Sequence, residues 1–126
     1  ESAILRAHPR QSYRVPVLVS AGIEAVIRTH EDERFGMLVK NISLGGIGGE
    51  VMSAHHAEFP LKTIVQVALK CGSLQTLLVG EIRHSDQGHI GILFSEAWRR
   101  GELNPPIEIR QMVRVAETEW IRVNGR

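Results

Sequence analysis

Asn41-Ile42-Ser43-Leu44-Gly45-Gly46-Ile47-Gly48-Gly49 is the stretch on which the reading of this chain turns. Two short polar side chains lead into four glycines within five residues, and apolar runs of strand-like composition flank them on both sides. Glycine lacks a Cβ, so such a turn can take positive φ values and lets a ligand touch bare backbone. Successive backbone N–H groups there can also form a concavity that binds anions. Its companion near the start is Arg10-Gln11-Ser12-Tyr13-Arg14. Each guanidinium is planar and permanently charged, able to grip a phosphate through two parallel hydrogen bonds or to lie flat on an aromatic ring. Glycine-rich turns often serve no ligand, and arginine pairs in polar segments are usually just solvated. Together, in this order and at this distance, they suit a small ligand that carries both phosphate and base.

Working outward, the flanks read as antiparallel strands. Residues 17–27 place Val17, Val19, Ala21, Ile23, Ala25 and Ile27 on alternate positions, with Gly22 as a bulge or bend. The tract from Thr29 to Arg34 is a charged loop. Residues 35–42 form a second strand ending in Asn41, and residues 47–52 a short third. Val65, Val67, Leu69 and Cys71 alternate in residues 64–71, Gly72-Ser73 is a turn, and residues 74–84 extend a further strand. A turn over Ser85-Asp86-Gln87-Gly88 leads to Ile90, Ile92 and Phe94 on a last strand. About six hairpin-linked strands at this spacing suggest a sandwich or a barrel, and a barrel removes exposed edges.

Beyond Phe94 the period changes. Asn104-Pro105-Pro106 reads as a helix start. Ile109, Met112, Val113, Ala116, Trp120 and Val123 then recur at three- and four-residue intervals, an amphipathic stripe, and Asn124-Gly125 offers a stop. The expected role is a lid across one end of the barrel; the alternative is a dimerising or partner-binding helix, centred on Trp120.

These residues carry a resemblance. Arg10-x-x-x-Arg14, running directly into Val15-Pro16-Val17, and then Asn41-x-Ser43-x-x-Gly46, are similar to the two short motifs of the PilZ domain family, RxxxR and [D/N]xSxxG. Gly80-Glu81-Ile82-Arg83 and Gly88-His89-Ile90-Gly91-Ile92-Leu93-Phe94 resemble its last two strands, so the likeness runs over residues 10–123. The resemblance implies a mainly β fold, a six-stranded antiparallel barrel with a C-terminal α-helix packed against it. An N-terminal arm, residues 1–14, would precede a barrel domain over residues 15–123. It also implies a bacterial receptor for cyclic di-GMP, with Arg10, Arg14, Asn41 and Ser43 as ligand contacts and Gly46 allowing the close approach. Gly45 beside it is an auxiliary candidate. Arg6 opens a second RxxxR ending at Arg10; Arg10/Arg14 is preferred because the family's second arginine sits just before the first strand, and Arg6 is then an auxiliary phosphate contact. Some relatives bind proteins and no nucleotide, so an interaction module is the rival reading. At Leu93 relatives often carry a polar residue, and Asn41 brings an amide where a carboxylate is also found. In the functional reading, ligand orders the arm, which then acts on a neighbouring domain, a protein partner or a second copy.

Composition narrows the classes. A chain of 126 residues can bury roughly two thirds of its unfolded surface in one core. Hydrophobic residues make up 43%, which argues against disorder, while aromatics at 5% predict an aliphatic core. Fifteen basic and 14 acidic side chains leave a net charge of +1, and polynucleotide binders need a basic surplus. Cys71 is the only cysteine, so no internal disulfide forms and a reducing, cytoplasmic setting is expected. No apolar run approaches the length of a membrane span, no secretory pattern opens the chain, and a start at Glu1 reads as a module from a longer protein. No nucleophile is tied to a base by spacing, so catalysis is not expected; nor is a cofactor. The adjacent His55-His56 point to opposite faces of an extended chain, with no third ligand for a metal.

Overall fold

The computed structural model describes residues 13–52, 59–99 and 102–125. In chain order the strands are β1 (Val15–Pro16), β2 (Ile23–Arg28), β3 (Arg34–Ser43), β4 (Gly46–Met52), β5 (Ile64–Cys71), β6 (Leu74–Asp86) and β7 (His89–Phe94). A small hairpin, β8 (Trp98–Arg99) with β9 (Glu102–Leu103), precedes the helix α1 (Ile107–Asn124). Every pairing is antiparallel, and because β3 pairs with both β2 and β4 the order β2-β5-β6-β7-β4-β3 returns on itself as a closed six-stranded barrel. β1 adds to the end of β3 that β2 does not reach.

The alternation seen in the sequence is the inside–outside alternation of the wall. Ile23, Ala25 and Ile27 of β2, Val65, Val67 and Leu69 of β5, and Ile90, Ile92 and Phe94 of β7 all point inward and are buried. The interior is aliphatic apart from Phe94 and an edge-to-face pair, Phe35 and Phe59, whose rings lie 5.3 Å apart. Two hairpins owe their tightness to positive φ: Gly72 (61°) leads the Cys71–Leu74 turn, and Gln87 (52°) with Gly88 (88°) make the turn after Asp86.

Residues 17–27 are not one strand. A 3-10 turn over Val19–Ala21 interrupts them and Gly22 ends it at φ 73°, leaving Val19 88% exposed although it sits on the apolar register. A left-handed residue reverses the local course of the chain, so β1 and β2 pair with different parts of β3. The helix begins two residues later than an N-cap at Asn104 would place it, with Pro106 as its N-cap. Its residues Ile109, Met112 and Ala116 are buried, and α1 packs on β1, the 3-10 turn, β3 and β6. That places it across the end of the barrel where β3 finishes and β6 starts. Past Ala116 the stripe leaves the core: Trp120 and Val123 are exposed. Here Arg122 donates two hydrogen bonds to Glu119, at 2.9 and 2.6 Å, and with help from Ser20 holds that carboxyl down at about 2. No described helix is long and apolar enough to cross a membrane.

Candidate functional site

Pairing of Val15 with Ile42 and of Pro16 with Asn41 carries Arg14 to the end of β3. Its Nη1 donates a 2.9 Å hydrogen bond to Asn41 Oδ1, joining one residue of each motif. Nη2 lies 3.4 Å from where a Cβ on Gly46 would sit. Partial burial of the head group lowers the Arg14 pKa from its usual value, the mark of a cation that has given up some of its water. Arg10 and Arg6 lie outside the described residues, as do His55 and His56.

Asn41 reaches this position through a β-bulge. The β3–β4 register shifts between Val39 and Asn41, and the extra residue, Lys40, turns outward beside it. Ser43 closes the hairpin opposite Gly46 and is buried, at 3% exposure. Its Oγ accepts from the Gly45 N–H at 3.2 Å and donates to the Gly46 carbonyl at 3.4 Å. A hydroxyl has two lone pairs, so one acceptor direction is left, suited to an N–H of a base edge. The Asn41 carbonyl is engaged by Arg14, and its NH2 brings two donors, suited to a phosphate or a carbonyl oxygen.

The glycines of this stretch work through lack of bulk rather than unusual backbone angles. None of Gly45, Gly46, Gly48 and Gly49 has a positive φ. A Cβ on Gly46 would run into the Ile92 carbonyl, and one on Gly49 into the Leu38 carbonyl, so these two let neighbouring strands close the barrel. Gly45 gives room to Trp98, whose indole Nε1 would lie 3.2 Å from a Cβ there. Gly48 faces outward, 2.9 Å from Asn41 Oδ1 by the same measure.

Outward-facing partners across four strands run Asn41, Gly48, Gly91, His84. Two adjacent residues without side chains make a trough in the wall, a depression of about 330 Å³ lined by Arg14, Lys40, Asn41, His84 and His89. His89 lies 3.4 Å from a Glu50 oxygen, and Lys40 3.9 Å from the other. Lys40, His84 and His89 were not among the sequence candidates. Only strand register, set by a bulge in β3 and another between Ile82 and His84 in β6, brings them together. Leu93 pairs with Gly46 and is half-buried, an apolar neighbour to the motif. Larger depressions exist, one of about 650 Å³ beside α1 that includes Arg110, Gln111 and Arg114, but no motif residue lines it. Among the described residues no group of three or more His, Cys, Asp or Glu side chains could hold a metal ion.

Comparison with known proteins agrees with the architecture. No curated protein sequence is significantly similar to the chain. Of solved structures, the PilZ domain of YcgR from Escherichia coli, determined with c-di-GMP, superposes with a TM-score of 0.67 at 13% identity, covering 88% of this chain and 93% of that one. The PilZ domain of CeSA from a cellulose-synthesizing bacterium gives 0.56 at 15% identity, covering 86% and 98%. The PlzA protein of Borreliella burgdorferi, in complex with c-di-GMP, gives 0.55 at 16% identity over 90% of this chain and 45% of that longer one. The family model for the PilZ domain matches residues 5–116, the whole barrel and the first half of α1. The chain therefore belongs to the PilZ domain family.

Proposed function

We propose that this domain is a receptor for cyclic di-GMP. The observation that carries the reading is the 2.9 Å hydrogen bond from Arg14 to Asn41, which ties the arm's arginine to the barrel's second motif at the rim of an outward-facing trough. Membership of the PilZ family and the c-di-GMP found with the YcgR and PlzA domains support the same ligand. Arg14 and Arg10 clamp phosphates and stack on the bases. Asn41 and Ser43 hold one guanine edge by the free donors and acceptor described above, with Gly46 and Gly45 keeping the turn flat beneath it; Arg6 is an auxiliary phosphate contact. Ligand orders the arm, residues 1–14, over the barrel domain, residues 15–123, starting from Arg14, which Asn41 already holds. The ordered arm then presents a new surface to an adjacent domain or partner. Ordering lowers the chain's conformational entropy, so the contacts must outweigh it.

A chemical-shift titration of the isotope-labelled domain tests the location. Addition of cyclic di-GMP is expected to move the backbone amides of Arg14, Asn41, Ser43, Gly45 and Gly46. The amides of Ala68 and Leu77, on the outer wall of β5 and β6, should stay in place. Shifts confined to that wall would refute the site, and GTP and the linear dinucleotide serve as ligand controls.

A further inference from the structure

We infer that the ligand trough does not end at the second motif but crosses the Gly48–Gly91 floor to His84, whose imidazole closes the far side and hydrogen-bonds the ligand. The inference rests on the cyclic di-GMP reading and extends it to a residue that neither motif contains.

The cross-strand row is the argument. Gly48 stands between Asn41 and Gly91, and Gly91 stands between Gly48 and His84. Neighbouring strands lie about 4.8 Å apart, so the backbones of Asn41 and His84 stand roughly 14 Å apart along the row. The Asn41 carboxamide leans over Gly48, with Oδ1 2.9 Å from where a Cβ there would sit, and Gly91 presents bare backbone between that amide and His84. A base can lie on this floor because no Cβ rises from it. The volume, about 330 Å³, is near the lower end for small-molecule sites and fits a nucleotide portion rather than a polymer groove. In the neighbouring row Gly46 is followed by Leu93, whose half-buried side chain offers a ligand no hydrogen bond, whereas this row leads to an imidazole.

Charge favours the same assignment. The groups facing His84 are Arg14 from the arm, Lys40 from β3, and His89 from β7 with its partner Glu50 from β4; its own strand brings Arg83 and Asp86 beside it. The trough proper thus carries two permanent cations and two imidazoles, with Glu50 the carboxylate nearest to them. A ligand with two phosphates is attracted by the two cations, and each imidazole brings a ring N–H that can donate to it.

The test is calorimetric titration of cyclic di-GMP into the parent chain and four variants, with thermal unfolding recorded for each. His84→Ala should lose roughly tenfold in affinity, since a hydrogen bond to a charged group contributes on that scale. His84→Gln keeps a hydrogen-bonding group, so it should bind more tightly than His84→Ala. Gly91→Ala raises the floor, since its Cβ would stand 3.3 Å from that of His84, and should weaken binding as well. Parent-like affinity in His84→Ala or in Gly91→Ala would overturn this inference alone, provided Arg14→Ala, the fourth variant, still loses binding. No binding by the parent chain would overturn it together with the proposed function.

Discussion

Arg14→Ala is expected to bind cyclic di-GMP roughly 30-fold to several thousand-fold more weakly than the parent chain, with an unchanged circular dichroism spectrum. Removing one partner of a desolvated, hydrogen-bonded charge contact costs about 2–5 kcal/mol. Arg14 meets those conditions in part before any ligand arrives: burial lowers its pKa, and one of its nitrogens is already held by Asn41. Its head group is thus positioned by the barrel and not by the ligand, which leaves less ordering to offset on binding. The fold should survive, because Arg14 stays on the outside of the wall with only its head group partly covered, and Val15, not Arg14, enters the core. Calorimetry on the two proteins checks the first part; equal affinities would remove the clamp. A comparable loss in Arg6→Ala would instead shift the register of the arm by one motif.

Gly49→Ala should act on the fold. A Cβ at this position meets the Leu38 carbonyl and lies 3.1 Å from the Lys40 nitrogen, both backbone atoms that cannot swing away. Forcing one methyl group into such a contact costs about 1–3 kcal/mol, and here the upper figure applies because backbone must move. For a domain of this size that lowers the Tm by about 10 °C. Gly72→Ala is the comparison: nothing lies within 4 Å of a Cβ there, and only its φ of 61° resists substitution, for a loss of about 1 kcal/mol. Thermal unfolding of both variants should rank Gly49→Ala far below Gly72→Ala. The reverse order would mean that β3 and β4 are not packed as described.

Much of the barrel is legible in the sequence because a wall with a dry inside and a wet outside writes its alternation into the chain. Residues 64–71 are the clearest case, with Val65, Val67, Leu69 and Cys71 inward and Gln66, Ala68 and Lys70 outward. The same rule misleads at Val19, where an apolar residue in register is lifted out by a 3-10 turn ended at Gly22. The β8–β9 hairpin has strands of two residues, too short for any period, and its presence behind Gly45 follows only from the packing of Trp98. Of the candidate site, the motif residues Arg14, Asn41 and Ser43 were readable as short polar and basic groups set against glycine. Lys40, His84 and His89 were not, because a single bulge changes which side of the wall a residue occupies. For the glycines, the sequence suggests room for a ligand. In Gly46 and Gly49 that room is taken by neighbouring strands, whereas at Gly48 and Gly91, which line the trough, the nearest atoms are the side chains of Asn41 and His84.

The most direct test is one isothermal titration of the purified chain with cyclic di-GMP, run beside GTP. Saturable heat is expected for the cyclic dinucleotide and none for GTP at the same concentrations. A flat trace with the cyclic dinucleotide, from protein that melts cooperatively, would contradict the receptor reading and leave a barrel that serves by binding other proteins.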